Sequence, residues 1–421
     1  MRSSVSAEAL PAMKTVVVGA GVIGLCTAYS LRRRGFDVEV LTTGGVGAGA
    51  STGNAGWIAP SLSGPVPGPG VLSGSLRWML NPASPFYVRP RPSPSFLRWL
   101  LAFRSHCNAR DYAAGLAAMA ALNRRTMELY DGLRANGLVF DEHRAGLVMA
   151  FHAQRDFDHD IASTDWFAGF GLPAPVPGRP TDLEPALGPS VVAAYLLPGE
   201  RHVDPGTLVG ALAGWLTANG VPVRTGVAVH DVTGDGRNAL TVRSSAGPVA
   251  ADTVVVAAGA WTPTVLKSLG ARVPIIGGKG YALDYLPAPV ELRQALYLHE
   301  DRVAMTPYAG RLRLSGTMEL TGLDTSISRR RTAAIAWAGS RALRTWPAGT
   351  APTRVSAGLR PLTPDGLPVI GALRRHPNVF VASGHSMLGV TLGPATGEAL
   401  AARIAGEPAE MLGPFDPQRF S

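Results

Sequence analysis

The chain has 421 residues, 46% hydrophobic and 16% charged, a balance that excludes a disordered chain or a long coiled coil. At roughly 150 residues per domain, the length predicts two or three units around a sizeable core. The net charge of +9 is 39 Lys and Arg against 30 Asp and Glu, with the arginines scattered in short runs such as Arg32-Arg33-Arg34, Arg329-Arg330-Arg331 and Arg374-Arg375. Such scatter does not collect a basic face, so nucleic acid is not an expected partner.

The two cysteines, Cys26 and Cys107, support neither a disulfide framework nor a C-x-x-C zinc or thiol site. No metal site is expected, and the compartment reads as reducing and cytoplasmic. Residues 1–12 carry one arginine and no apolar run, so neither a signal peptide nor an anchor is expected there. No window approaches a membrane-spanning length of about 18 apolar residues.

The first element is the β-branched run Lys14-Thr-Val-Val-Val18, which does not alternate and so reads as a strand buried on both faces of a parallel sheet. Gly19-Ala-Gly21-Val22-Ile23-Gly24 follows. Leu25, Ala28, Tyr29 and Leu31 then recur at helical spacing up to Gly35, and Val38, Val40 and Leu41 begin a second strand. This βαβ unit predicts a dinucleotide site: Gly19 makes the tight turn, Gly21 admits the pyrophosphate, and Gly24 lets helix and strand pack closely. The carboxylate expected near the end of the second strand for the ribose hydroxyls is missing. Leu41-Thr42-Thr43 stands there, and Glu39 should point away from the site. These residues do not distinguish NAD from FAD.

Ala50-Ser51-Thr52-Gly53-Asn54-Ala55-Gly56 is a run of small and hydroxyl residues suited to donating N–H and O–H groups to a ligand, or to an ordinary turn. Between about 65 and 180 an insert combines aromatics with arginines, at 76–80, at 89–92 and at 96–104. Helices covering a cavity account for these residues, and an interfacial membrane contact is the alternative. A helix over 112–133 should turn Leu116, Met119, Leu122, Thr126 and Leu129 to the core. A helix over 205–219 precedes short strands at 221–229 and 240–242. Asp252-Thr-Val-Val-Val-Ala-Ala-Gly259-Ala-Trp261-Thr262 is then a second buried strand ending in a glycine turn. Near the end, Asn378-Val-Phe-Val-Ala-Ser383-Gly384-His385-Ser386-Met387-Leu388-Gly389 is a strand feeding a helix from about Val390, which aims that helix's positive end at an electron-rich ligand edge.

Taken in order, GAGVIG, ASTGNAG, VVVAAGAWT, AGLRPLTPDGLPVIG and SGHSMLGVTLGPATG resemble the D-amino-acid oxidase and dehydrogenase superfamily of FAD enzymes. The likeness is greatest to the D-amino acid dehydrogenase and D-hydroxyproline dehydrogenase branch, with glycine oxidase and sarcosine oxidase more distant. It runs from Met13 to about Ile404. The resemblance implies an α/β fold with a Rossmann-type FAD domain, built from 13–64, 181–262 and 355–408. A mixed, largely antiparallel α+β substrate domain would come from 65–180 and 263–354.

The resemblance further implies that Gly19, Gly21, Val22, Ile23 and Gly24 hold the FAD pyrophosphate. Ser51, Thr52, Asn54, Ala55 and Gly56 would line pyrophosphate and flavin, with Val229 at the adenine. Ala258, Gly259 and Trp261 would flank the nucleotide half, and Gly384, His385, Met387, Leu388, Gly389, Val390 and Thr391 the pyrimidine edge of the ring. Thr42 and Thr43 stand where relatives carry an acid for the ribose. No cysteine occupies the segment through which sarcosine-oxidase relatives attach flavin, and Cys26 is expected to face the sheet, so the FAD should be non-covalent.

The implied reaction is oxidation of a D-amino or cyclic imino acid by hydride transfer from Cα to the flavin, with oxygen or a quinone as electron acceptor. A tailored amine in a small-molecule pathway, or a non-redox ligand-binding protein, are the alternatives. Arg360 would fork onto the substrate carboxylate. Tyr281 could hydrogen-bond the substrate. His385 would either handle protons or simply satisfy a backbone carbonyl. A dehydrogenase of this kind would be cytoplasmic, with contact at the inner face of the membrane left open.

Overall fold

The computed structural model describes residues 13–71, 84–89, 93–234 and 240–420. The leader at 1–12, the aromatic and arginine run at 76–80 and residues 90–92 lie outside the described residues.

The first valine run forms the strand Lys14–Val18 and lies inside a six-stranded sheet. The order is Val223–Arg224, Asp37–Leu41, Lys14–Val18, Thr253–Val256, His376–Ser383 and Val369–Leu373. The first five strands are parallel and the last is antiparallel. Both faces are covered, which explains the absence of alternation. Val17, Val40 and Val255 pack under the helices Val22–Arg33, Pro205–Ala218 and Gly389–Ile404. Val16, Val18, Val254 and Val256 pack under the three-stranded meander Val229–Thr233, Leu240–Ser244 and Gly247–Ala251.

The first and last of these helices follow parallel strands, so they run side by side with both N-termini at the carboxyl edge of the sheet. Gly393 and Gly397 let them touch: a Cβ at Gly397 would stand 2.5 Å from the Cys26 carbonyl. Cys26 therefore faces the last helix rather than the sheet, and burial pushes its thiol pKa up.

A nine-stranded mixed sheet runs in the order Arg354–Leu362, Ile276–Tyr285, Arg311–Leu320, Val303–Tyr308, Ala295–Leu298, Leu147–Phe151, Ala193–Leu197 and Val176–Gly178, and Phe86–Val88 adds to the end of Arg311–Leu320. Two strands expected in the nucleotide unit, Ala193–Leu197 and Arg354–Leu362, pair here instead. The helix Arg329–Ala342 covers one face, with Ile335, Ala338 and Ala342 on Tyr281, Leu283 and Leu314. The other face turns toward the nucleotide sheet.

The single helix expected over 112–133 is two, Ala109–Asn123 and Thr126–Ala135. Asn123 donates back to the Met119 carbonyl at 3.0 Å and Thr126 to Asn123 at 3.1 Å, side-chain bonds that compete with the helical ladder at the break. Met119, Leu122 and Thr126 are buried as expected, and Leu116 and Leu129 partly so.

Candidate functional site: a cofactor cleft between two sheets

Gly19 has φ +114, and a Cβ there would stand 2.5 Å from the Ala257 carbonyl oxygen. Gly24 lies so close to the Gly19 carbonyl that no side chain fits. At Gly21 the nearest atom to an added Cβ is Ser51 Oγ at 3.2 Å, so this side of the turn is open. The helix Val22–Arg33 has no acidic residue in its first turn, and neither does Gly389–Ile404. Both positive ends are therefore free for an anionic or electron-rich ligand. These features fit the pyrophosphate and the flavin of FAD.

Residues 47–56 form a loop fastened from every side. Gly47 N–H donates to the Ala20 carbonyl at 2.8 Å, and Ser51 Oγ accepts from Val22 N–H at 3.0 Å. Thr52 Oγ1 donates to the Gly47 carbonyl at 3.2 Å. Asn54 Oδ1 accepts from Gly56 N–H at 2.7 Å while its Nδ2 donates to the Met387 carbonyl at 3.2 Å. From the nine-stranded sheet, Tyr308 donates to the Ala55 carbonyl at 2.8 Å, and Arg313 Nη1 donates to the carbonyls of Thr52 at 2.6 Å and Asn54 at 2.8 Å.

Arg313 is itself forked onto Asp284, at 2.7 and 3.0 Å, with Arg311 on the same carboxylate at 2.7 Å. Burial alone would raise the Asp284 pKa, but the two guanidinium groups hold it below the usual range. This buried clasp, absent from the motifs, had one sequence signal: Asp284 and Arg313 interrupt apolar strands, and charges in buried strands pair.

The turn at 384–391 closes the far end. Gly384 (φ +81) faces Thr363, Ser386 (φ 50) donates its N–H to the Pro361 carbonyl at 2.9 Å, and Met387 is exposed. Leu388 N–H donates to the His385 carbonyl at 2.8 Å, and Gly389 abuts Val22. Tyr130 donates to the Val390 carbonyl at 2.6 Å, and Thr391 Oγ1 donates to the Trp57 carbonyl at 3.0 Å and accepts from Ala59 N–H at 3.1 Å. Tyr130 is another residue that the motifs did not reveal.

At the nucleotide end, Thr42 is half-buried at the tip of its strand, with its N–H on the Arg224 carbonyl and its carbonyl on Val227 N–H. Thr43 is exposed. Glu39 points away and pairs with Arg224 at 3.0 Å, as its alternation requires. Val229 opens the neighbouring meander. Ala258, Gly259 (φ 55) and the partly exposed Trp261 lie above Gly19 and Gly49, and Ser383 Oγ fastens the Gly259 carbonyl at 3.0 Å.

Three residues were expected to meet substrate. Arg360 is half-buried on the face of the sheet that carries Ser356 and Gly358, which touch the 47–56 loop. Its Nη1 donates to the Thr317 carbonyl, and among the described residues no carboxylate lies within ion-pair distance. Desolvation brings its pKa down to about 10, which leaves it charged at neutral pH.

Tyr281 is a correction. It lies on the opposite face, under the helix Arg329–Ala342, and donates to Glu319 at 2.9 Å, within a balanced network of Lys279, Arg331, Glu319 and Asp324. His385 is also corrected: its ring is buried, with Nε2 at 3.0 Å from Thr396 Oγ1 rather than on a backbone carbonyl. Burial pushes its pKa down to about 3, which holds the ring neutral near pH 7.

Beside Arg360, Met318 Sδ stands 3.9 Å from Nη1 and belongs to a cluster with Trp99, Phe103, Leu320 and Leu362. Trp99, Phe103, Leu320 and Leu362 line a small apolar void that reaches Ser386 on the flavin-side turn. The helix Pro94–His106 supplies Trp99 and Phe103, so these two aromatics of the 96–104 run pack into a hydrophobic cluster. No helix among the described residues is long and apolar enough to cross a membrane.

Comparison with known proteins agrees with this geometry. The curated D-amino acid dehydrogenases of Granulibacter bethesdensis and Xanthobacter autotrophicus are each 32% identical, over 94% of this chain and 96% of theirs. Among solved structures, glycine oxidase from Geobacillus kaustophilus superimposes with TM-score 0.76 at 21% identity, covering 97% of this chain and 99% of that one. L-proline dehydrogenase from P. horikoshii gives 0.72 at 20%, covering 98% of each. The family model described as FAD dependent oxidoreductase, DAO, matches residues 14–403, and the chain therefore belongs to the DAO family of FAD-dependent oxidoreductases.

Proposed function

We propose that the protein oxidises a D-amino acid or a cyclic imino acid, and that Arg360 anchors the substrate carboxylate. The observation that carries this reading is a charged guanidinium on the cleft face whose bonding partner is a neutral carbonyl, not an acid. With Nη1 tied to Thr317, the rest of the fork is left for a carboxylate. The relatives' names support the amino-acid class.

Bound FAD supplies the two-electron acceptor for hydride from the substrate Cα. The chain's part is orientation: Arg360 fixes the carboxylate end and so sets how the Cα–H is presented. No base is required, because a substrate with a neutral amine loses hydride directly. The imine then hydrolyses to the keto acid, or persists as a pyrroline if cyclic. Neutral His385 keeps the turn at 384–391 on the last helix. The cofactor is held without a covalent bond, since Cys26 is sealed between helices and Cys107 closes the helix Pro94–His106. The electrons pass on to oxygen or a quinone, the latter at a membrane surface.

The test is an anaerobic screen of D- and L-amino acids and imino acids, read by flavin bleaching, in wild type and Arg360→Ala. Truncating one partner of a buried charge pair weakens it by about 2 to 5 kcal/mol, so kcat/KM for flavin reduction should fall by at least an order of magnitude with FAD content unchanged. Full reduction rate with full FAD content in Arg360→Ala would overturn the amino-acid assignment.

A further inference from the structure

Arg360 is held by two features of adjacent strands that carboxylate binding alone does not require. The strands Ile276–Tyr285 and Arg311–Leu320 pair regularly from Tyr285 back to Tyr281, and the register then shifts, leaving Thr317 and Met318 opposite Gly280. At this bulge Thr317 adopts φ 64, a conformation that is an outlier for a β-branched residue and that marks functional strain when the surroundings enforce it. The bulge takes the Thr317 carbonyl out of the ladder, and that carbonyl accepts from Arg360 Nη1. Across from it, a Cβ on Gly280 would meet Nη1, Cζ and Nη2 of Arg360 first, all at nearly equal distance. The guanidinium therefore occupies the space that a side chain at 280 would take.

We infer that Gly280 is a positioning residue for carboxylate recognition: its missing side chain seats the Arg360 fork, and the Thr317 bulge clamps one end so that the other edge faces substrate. This rests on reading Arg360 as the carboxylate anchor. Among the described residues the buried Thr317 hydroxyl has no hydrogen-bond partner, so its backbone, not its side chain, supplies the clamp.

The experiment titrates the FAD-loaded enzyme with propionate, a carboxylate with no amine to oxidise, and reads the flavin absorption shift alongside amino-acid KM and kcat. Gly280→Ala should raise the propionate Kd and the KM about tenfold or more, because the fork is lifted from its seat. FAD content should hold and kcat should change much less than KM. In an Arg360→Lys background the same substitution should cost under about threefold, since a point charge needs no seat.

Wild-type affinity in Gly280→Ala, or an equal loss in both backgrounds, overturns the inference while leaving the anchor in place. Unchanged propionate binding in Arg360→Ala overturns the anchor itself. If Gly280→Ala alone does not fold, Arg360→Ala with Gly280→Ala must recover FAD-loaded protein, and failure to do so also overturns the inference.

Discussion

Replacing Arg313 by methionine keeps most of the side-chain volume and removes four charge-assisted bonds at once. Two go to Asp284 at 2.7 and 3.0 Å, and two to the loop carbonyls of Thr52 and Asn54 at 2.6 and 2.8 Å. Breaking a buried ion pair costs about 3 to 5 kcal/mol. Asp284 keeps Arg311 at 2.7 Å, which places the loss near the lower end, about 3 kcal/mol. The two loop bonds are of the charged kind, at least about 1.5 kcal/mol each, so a loop set free should weaken FAD by roughly a hundredfold. Flavin fluorescence during titration of apoprotein measures that Kd, and thermal unfolding with and without FAD measures the stability. Arg311→Met is the control: Arg311 pairs with Asp204 and Asp284 and lies over the Tyr308 ring, with no hydrogen bond to the loop among the described residues, so the change should lower Tm with a much smaller change in FAD affinity. A folded Arg313→Met protein whose FAD affinity stays within about threefold of wild type would refute the reasoning, because 1.4 kcal/mol is already tenfold.

Protonation of His385 is suppressed in the native state, with a pKa of about 3 against an unfolded value of about 6.5. The unfolded chain therefore binds the extra proton between these values, and stability falls with acidification below about pH 6.5, by about 2 kcal/mol at pH 5 from this residue. His385→Gln should flatten the Tm-against-pH curve there and leave the pH dependence of flavin reduction unaltered; a shifted kinetic profile would restore a proton-transfer role. Thr42→Glu puts an anion at the strand tip and should tighten FAD by about 1 to 2 kcal/mol, the margin of charged over neutral hydrogen bonds, measured by the same titration. Unchanged binding would mean the ribose is held elsewhere. Acid precipitation should release all yellow colour into the supernatant, and colour in the pellet would mean a covalent link.

The nucleotide half was legible because its signals are local. The strand Lys14–Val18 and the strand Asp37–Leu41 fall where the apolar runs put them, and Gly19 and Gly24 meet the close contacts that their spacing implied. The substrate face was not, for a reason of parity. Arg360 and Tyr281 lie on adjacent strands, and which of them face the same way depends on register, which a one-residue slip inverts. With Tyr281 opposite Ala357 and Gly278 opposite Arg360, the two side chains fall on opposite faces, and alternation within either strand alone carries no trace of that. The Thr317 bulge was equally hidden, since threonine is an ordinary strand residue and only the pairing with Gly280 exposes the extra position. His385 sits in the turn before the last helix, but the direction of its ring depends on Thr396, eleven residues farther along the chain.

The contact of Gly393 and Gly397 with Cys26 works as a gauge. The two helices it joins both begin at the carboxyl edge of the sheet, with no acidic residue in either first turn. A glycine backbone against a backbone brings their axes as close as two helices can come. A methyl group added at 397 would force them apart, and their leading ends with them, so the spacing of two positive helix ends at the cleft is set in a seam away from it.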